Sequence, residues 1–189
     1  MNTPSQDSPT RRRAIGVFCG AKSGNDPRWV NAAFDLGRAL AARGWALVYG
    51  GGNVGLMGAV ADGTLAGGGE VIGVIPQRLM EREVAHRGLT RLEVVPDMAE
   101  RKTRMIELSD AFVALPGGLG TLDELFEVLT LAQIGYHRKP VALYNQDGYW
   151  DPLLAACRAM TGHGFVHAAD LAVMRAADSI DATLAAVAP

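Results

Sequence analysis

AFVALPGGLGTLDELFE, residues 111–127, contains the clearest structural signal in this chain. It begins with an apolar run at 111–115, which predicts a buried strand that Pro116 ends. Glycines follow at 117, 118 and 120, and Thr121 is a residue type that caps helices. Apolar side chains then recur at helical spacing, at Leu122, Leu125, Phe126, Leu129 and Ile134. The stretch therefore predicts a strand, a glycine loop and a helix in direct succession.

This succession is typical of a site for an anion. Glycines let backbone N–H groups approach a ligand closely. The first N–H groups of a helix have no partner within it, and the helix dipole favours negative charge there. A phosphate is therefore the expected ligand. The loop is not a Walker motif, since no Lys-Ser or Lys-Thr pair follows it, and it lacks the G-x-G-x-x-G spacing of a dinucleotide fingerprint.

Glu124 lies in the first turn of this predicted helix, where its carboxylate would repel a phosphate unless it had a separate role. One interpretation is structural, because Thr121 and Glu124 match the capping-box pattern. The other is chemical, with Glu124 acting on the ligand. The residues of this stretch leave both interpretations open.

Arg101 and Lys102 lie near the start of another predicted helix. They can belong to a solvated basic face, with Arg101 paired to Asp97 four residues earlier. Basic residues in a first helical turn oppose the dipole, however, and this favours a ligand role. Arg101 could bind a phosphate through two N–H groups or orient a carboxylate.

Strand and helix patterns alternate along the whole chain. Strands are predicted at 14–19, 45–49, 70–75, 92–95, 111–115, 141–144 and 172–175, and helices at 27–43, 56–66, 97–109, 122–134, 152–162 and 179–187. The segment 77–91 is predicted to be exposed and to cover a site. The alternation predicts an α/β fold, a doubly wound parallel sheet with helices on both faces. Both glycine loops, at 50–55 and 117–120, should reach the carboxyl edge of the sheet, where ligands of such folds bind.

The composition limits the classes of protein to consider. The chain has 189 residues, enough for one domain with a sizeable core, and a net charge of −2 argues against binding to nucleic acid. Residues 1–13 are polar and predict a disordered tail before a single domain at 14–189. No apolar run is long enough to span a membrane. Cys19 and Cys157 are the only cysteines and fit a reducing compartment, so a cytoplasmic location is expected.

The remaining residue types exclude several chemistries. The histidines, His86, His137, His163 and His167, lack metal-binding spacing, so no metal is expected. A phosphate that is held but not transferred places the reacting bond near the sugar. Cleavage of an N-glycosidic bond passes through an oxocarbenium-like sugar. A carboxylate can stabilise this cation or activate the water that attacks it. The pattern therefore suggests hydrolysis of a nucleotide without a cofactor.

Two motifs connect the chain to a known family. The first is P-G-G-x-G-T-x-x-E at 116–124, and the second is the Arg-Lys pair in DMAERK at 97–102. The sequences VFCG at 17–20, YGGGNVGLMG at 49–58 and LMERE at 79–83 are also similar. The chain resembles, over about residues 15–165, the LOG (Lonely Guy) family of cytokinin riboside 5′-monophosphate phosphoribohydrolases, which are often misnamed lysine decarboxylases.

The resemblance implies a Rossmann-like homodimer that hydrolyses a nucleoside 5′-monophosphate, preferably an N6-modified adenosine monophosphate, to free base and ribose 5-phosphate. It implies that Arg101 and Glu124 are the catalytic pair. The phosphate would be bound by Gly117, Gly118, Leu119, Gly120 and Thr121. The nucleotide would also be lined by Glu83, Lys102 and Thr130, with Gly51, Gly52 and Gly55 as a further wall.

The chain departs from many relatives at Ala21, where they have Ser, and at Ala99, where they have His. Two alternative functions stay open. One is a general purine nucleosidase that acts on AMP or GMP in salvage. The other is a carrier of a nucleotide or of molybdenum cofactor, without hydrolysis. A PLP-dependent decarboxylase is not expected, because Lys102 lies beside a catalytic-type arginine and not alone in a cofactor pocket.

Overall fold

The computed structural model describes residues 12–80 and 85–189. Within these residues, seven parallel strands form one sheet in the order β4-β3-β2-β1-β5-β6-β7. The strands are β1 (Ala14–Phe18), β2 (Ala46–Tyr49), β3 (Val71–Pro76), β4 (Arg91–Val95), β5 (Ala111–Ala114), β6 (Val141–Tyr144) and β7 (Met174–Ala177). Every residue of the five inner strands is buried, which explains why they are continuous apolar runs and not alternating ones.

Helices cover both faces of this sheet. They are α1 (Pro27–Ala42), α2 (Gly55–Ala66), α3 (Met98–Leu108), α4 (Leu119–Gln133), α5 (Asp151–Gly162), α6 (Ala168–Leu171) and α7 (Ile180–Ala186). One core cluster joins α1, α2 and α7 to one face, and a second joins α3, α4 and α5 to the other. The predicted doubly wound α/β architecture is therefore confirmed. None of the helices in the described ranges is long and apolar enough to cross a bilayer.

The helices α1 and α2 approach each other at backbone distance. A Cβ atom on Gly37 of α1 would lie 2.2 Å from the carbonyl oxygen of Val60, and a Cβ atom on Gly63 of α2 would lie 2.0 Å from that of Phe34. Real Cβ atoms do not tolerate such distances, so each helix needs a glycine where it crosses the other. The two helices consequently form one closely packed unit.

Several predicted boundaries are corrected. The last strand begins at Met174, two residues later than predicted. Arg13 was assigned to the tail, but its carbonyl accepts a hydrogen bond from the N–H of Ala46 at 2.8 Å, and its guanidinium lies 5.6 Å from the centre of the Trp45 ring. Arg13 therefore belongs to the folded domain. Residues 1–11 of the predicted tail lie outside the described residues.

The segment predicted to be exposed, 77–91, is partly packed against the domain. It begins with a single 3₁₀ turn at Gln77–Leu79, and residues 81–84 are not among those described. His86 is buried, its Nε2 lies 2.9 Å from a carboxylate oxygen of Asp62, and its backbone N–H donates to the carbonyl of Gly51. The prediction missed these contacts because they depend on residues distant in sequence.

Candidate active site

A cavity of about 600 Å³ lies at the carboxyl ends of β1, β2 and β5. β1 and β5 are neighbours, and the strand order reverses between them, so the cavity occupies the position at which doubly wound sheets bind ligands. Its lining is formed mainly by the loop 19–25 after β1 and the loop 116–121 after β5. Arg101 and Glu124 are the buried charged side chains that also line it.

The helix α4 begins with an open N-terminus at this cavity. Its N-cap is Gly118, which has no side chain to bond the first N–H groups. The first helical hydrogen bond runs from the N–H of Leu122 to the carbonyl of Gly118, at 3.1 Å. The three preceding N–H groups, at 119–121, therefore have no carbonyl partner within the helix and can bind an anion. Because the helix starts before Thr121, the capping-box interpretation of Thr121 and Glu124 is wrong.

The three glycines of the loop have different roles. A Cβ atom on Gly117 would lie 2.0 Å from Oγ1 of Thr121 and 2.9 Å from the backbone nitrogen of Gly20, so Gly117 is required by packing within the protein. Cβ atoms on Gly118 and Gly120 would meet nothing within 4 Å. Both residues line the cavity. The space above them is consequently open to a ligand.

Arg101, on α3, is directed into the protein and is only 5% exposed. Its Nε donates to the carbonyl of Val74 at 3.2 Å, and its Nη2 donates to the carbonyl of Gly50 at 3.0 Å. The alternatives of a solvated basic face and of a side-chain pair with Asp97 are therefore wrong. Asp97 instead caps α3 by accepting from the N–H of Glu100. Arg101 is thus fixed between the carboxyl ends of two strands.

Gly50 makes room for this arginine, and sequence reasoning missed it. A Cβ atom on Gly50 would lie 1.8 Å from Nη2 of Arg101. The absence of a side chain at Gly50, the first residue after β2, therefore allows Arg101 to reach this position. The resemblance to the family had instead suggested that the later glycines of this loop contact the ligand. Its position directly after a buried strand was the available signal.

Glu124 faces Arg101 across the cavity floor. Its carboxylate oxygen Oε1 lies 4.0 Å from Nη1 of Arg101, and the residue is 8% exposed. The separation is that of an ionic contact and is longer than a hydrogen bond. Glu124 follows Gly120 by four positions on α4, so its carboxylate lies on the same side of the helix, one turn after the open N–H groups. The structure thus brings both predicted catalytic residues to the N-terminal part of α4, at the cavity.

Other predicted site residues lie away from the cavity lining. Lys102 forms ion pairs with Asp123, at 3.0 Å, and with Glu127. The hydrogen bond to Glu127, with that to Asp123, raises the pKa of Lys102, which is unsuitable for a Schiff-base lysine because that chemistry needs a neutral amine. Thr130 is exposed on α4. Glu83 falls outside the described residues.

The glycines after Gly50 also support the cavity from outside its lining. Gly51 and Gly52 pair with the segment at 85–86. A Cβ atom on Gly55 would lie 2.5 Å from the carbonyl carbon of Ala21. This contact fixes the loop after β1 against the start of α2. The second glycine loop is therefore a support for the cavity wall, and the lining residues on this side are Gly50, Leu56 and Met57.

Sequence reasoning also missed the aromatic side of the cavity, formed by Trp29 and Tyr149. Their rings contact edge to face, with centroids 5.8 Å apart, and the Tyr149 hydroxyl donates to the carbonyl of Gly117 at 2.6 Å. Tyr149 thus supports the loop at 116–121. It lies in the loop after β6, and this position at the carboxyl edge of the sheet was the only signal in the sequence.

These features define a Rossmann-like α/β protein with a ligand cavity at the switch point of its sheet. The family model described as "Possible lysine decarboxylase" matches residues 57–187. A probable cytokinin riboside 5′-monophosphate phosphoribohydrolase of Oryza sativa subsp. japonica is 51% identical over 154 residues, which is 82% of this chain and 69% of the relative. A cytokinin riboside 5′-monophosphate phosphoribohydrolase of Arabidopsis thaliana is 48% identical over 161 residues, 85% of this chain and 74% of the relative. The chain belongs to this family, as a member of its LOG group.

A solved structure adds a second kind of relative. The molybdenum cofactor binding protein of the phototrophic bacterium Rippkaea orientalis is 26% identical and superposes with a TM-score of 0.71, covering 93% of this chain and 95% of that chain. The fold is therefore shared with a binding protein as well as with phosphoribohydrolases. The family and the Rossmann-like fold that the motifs predicted are both confirmed.

Proposed function

We propose that this protein hydrolyses the N-glycosidic bond of N6-modified adenosine 5′-monophosphates and releases the free base and ribose 5-phosphate. The observation that carries the proposal is the buried contact between Arg101 and Glu124, one helical turn from the open N-terminus of α4. The identity of 51% and 48% to phosphoribohydrolases for cytokinin riboside 5′-monophosphates supports the same substrate class.

The substrate phosphate would bind the N–H groups at 119–121 and lie over Gly118 and Gly120. The N-terminus of α4 favours this anion through its dipole, and the glycines leave space for its oxygens. The sugar would then extend along α4 towards Glu124. Binding of the phosphate fixes the position of the anomeric carbon. Binding energy from the phosphate, which does not react, thus orients the anomeric carbon, which does.

In the chemical step, the bond between the anomeric carbon and the purine nitrogen breaks, and its electron pair leaves with the base. Positive charge develops on the ribose ring, and the Glu124 carboxylate stabilises it. Glu124 then accepts a proton from water as the water oxygen bonds to the anomeric carbon. The departing base takes up one proton from solvent and Glu124 returns one proton to solvent, so the carboxylate is regenerated and one water is consumed. The positive charge of Arg101, 4.0 Å away, stabilises the negative charge of the Glu124 carboxylate, and Arg101 would contact the sugar-phosphate side of the substrate.

Release of ribose 5-phosphate from N6-isopentenyl-AMP, AMP and GMP, without added metal, tests this proposal. We expect cleavage of the two adenosine nucleotides, with N6-isopentenyl-AMP preferred. Equal or faster cleavage of GMP would instead support a general purine nucleosidase of salvage.

A cofactor or nucleotide carrier is the second candidate, because the fold is shared with a molybdenum cofactor binding protein. A carrier would bind a nucleotide tightly and return it uncleaved after hours of incubation. The Arg101–Glu124 contact favours the enzyme, since a carrier has no need of a buried carboxylate beside the bound sugar. Chromatography of the nucleotide recovered after incubation separates the two candidates.

Replacement of Gly120 by alanine should weaken substrate binding without harming the fold. Apart from its chain neighbours and the backbone of its own helix, the added methyl group would meet nothing within 4 Å, but it would enter the space proposed for the phosphate. We expect KM for AMP to rise by about tenfold or more, the loss expected when a charged group loses a hydrogen bond. Gly162→Ala is the matched control, because Gly162 is also helical with nothing within 4 Å of the added methyl group. Both variants should be at least as stable as the wild type to heat, and an unchanged KM in Gly120→Ala would contradict the assigned phosphate position.

The proposal includes a homodimer in the cytoplasm. Phe126, Ile134 and Tyr136 on and after α4 are exposed, Ile134 and Tyr136 to 60% and 78%. A second copy of the chain would remove this apolar surface from water. Cys19 and Cys157 are both buried and are not joined by a disulfide, which suits a reducing compartment. Light scattering coupled to size-exclusion chromatography measures the mass in solution, and a monomer would exclude the dimer.

A further inference from the structure

We propose that Lys22 binds the 5′-phosphate of the substrate and makes the cavity selective for nucleotides over nucleosides. This inference rests on the proposed function and adds a substrate-binding residue that the family motifs do not contain. Lys22 lies in the loop after β1 and lines the cavity. Its role follows from the contacts of that loop, from the charges of the cavity and from the fixed position of its backbone.

The loop that carries Lys22 is in direct contact with the loop at 116–121, where the phosphate is proposed to bind. The N–H of Gly20 donates to the carbonyl of Pro116 at 3.1 Å. A Cβ atom on Gly20 would lie 3.1 Å from the carbonyl oxygen of Lys22 and 3.5 Å from Cα of Gly117. The two loops therefore form adjacent walls, and the long side chain of Lys22 starts beside the open N-terminus of α4.

The charges of the cavity leave the phosphate incompletely neutralised without Lys22. A phosphate monoester carries a charge of about −1.5 to −2 at neutral pH, whereas a helix N-terminus supplies only about +0.5. Arg101 already faces Glu124 and donates to two carbonyls. Lys102 is held outside the cavity by Asp123 and Glu127. Within residues 12–80 and 85–189, Lys22 has no ion pair, and it is the remaining cation in the lining.

The backbone around Lys22 is fixed before a ligand binds. The carbonyl of Gly20 accepts from the N–H of Leu56 at 3.0 Å, and Gly55 packs against Ala21. The nearby Asp26 carboxylate accepts a hydrogen bond from the backbone N–H of Arg28 at 2.9 Å and forms an ion pair with the Arg28 side chain, so it is not paired with Lys22. Binding of a phosphate therefore orders only the side chain of Lys22, which keeps the entropic cost low.

Calorimetric titration with ribose 5-phosphate tests the role of Lys22 independently of catalysis. The proteins are the wild type, Lys22→Gln, Lys22→Arg and the control Arg38→Gln, which removes the same charge from an exposed position on α1 outside the cavity lining. We expect Lys22→Gln to weaken binding by about tenfold, as for one charge-assisted hydrogen bond at an open site. Lys22→Arg should recover most of the affinity, and Arg38→Gln should bind like the wild type.

Salt dependence provides a readout that a purely structural role would not change. Binding to the wild type should weaken as salt is added, and Lys22→Gln should show a smaller dependence, since one screened ionic contact is missing. Equal affinity of Lys22→Gln and wild type, or no binding of ribose 5-phosphate to the wild type, would overturn the inference. Binding that depends on Lys22 in a protein that cleaves no nucleotide would support it while excluding the proposed hydrolysis.

Discussion

Glu124→Gln is expected to lower kcat for N6-isopentenyl-AMP by about 100-fold or more, the usual contribution of a positioned acid–base group. Glutamine keeps the size of the side chain but removes the negative charge that would stabilise the oxocarbenium-like sugar and accept the proton of water. Glu124 is buried and lies 4.0 Å from Arg101, so the substitution removes a charge that solvent screens only weakly. Initial rates of ribose 5-phosphate release at saturating substrate give kcat directly.

Glu127→Gln is the matched control, because Glu127 lies on the same helix, three residues later, and pairs with Lys102 outside the cavity lining. We expect its kcat to stay within about twofold of the wild type, since a partly exposed ion pair contributes little. Near-normal hydrolysis by Glu124→Gln would remove this carboxylate from the mechanism. Glu124→Gln also removes one partner of the buried contact with Arg101, so it should melt at a lower temperature than the control. The rates of both variants are therefore compared at a temperature at which both proteins are fully folded.

Replacement of Arg101 by alanine should affect both stability and catalysis. The carbonyls of Gly50 and Val74 would lose their donor, and the buried carboxylate of Glu124 would lose a nearby positive charge. Removal of one partner of a buried ionic contact costs about 3–5 kcal/mol of the free energy of unfolding. Urea unfolding of Arg101→Ala measures this loss, and we expect hydrolysis to fall below about one hundredth of wild type, as when a preorganised electrostatic group is removed.

Arg101→Lys separates the two effects, because it keeps the charge and loses the planar fork that reaches both carbonyls. It should be more stable than Arg101→Ala yet still cleave nucleotides poorly. Arg104→Ala is the control on the same helix: Arg104 pairs with Glu93 and Glu107 at the surface, and its loss should cost no more than about 1 kcal/mol. Hydrolysis by Arg101→Lys within tenfold of wild type would show that the fork geometry is not needed for the reaction.

The architecture was predictable because the inner strands are continuous apolar runs separated by glycines and helix caps. The helix predicted at 27–43, for example, does begin at Pro27, directly after the cap residue Asp26. The order of the strands is not contained in such local patterns. Strand order depends on which apolar faces pack together in the folded chain. The contact of His86 with Asp62 likewise depends on residues distant in sequence, and it was missed for that reason.

The chemistry of the site was largely predictable, and its geometry was not. Thr121 is a better cap than Gly118 by intrinsic preference, but Thr121 packs into the space beside Gly117, and the helix starts earlier. Neighbouring residues on a helix point about 100° apart, so Arg101 and Lys102 could not both face the cavity. Met105, four residues after Arg101, is an apolar residue that lies buried on the same face of α3. This spacing could have predicted that Arg101 points inward.

The close contact between α1 and α2 at Gly37 and Gly63 also limits which loops around the cavity can change in sequence. Since the loops at 20–26 and 50–54 run into these two helices, an insertion or deletion in either loop would disturb both helices at once. Leu119, by contrast, lines the cavity with 86% of its surface exposed and can be exchanged without disturbing the core. Variant libraries should therefore diversify Leu119 and leave intact both the α1–α2 side and Tyr149, whose hydroxyl bonds to the loop at 116–121.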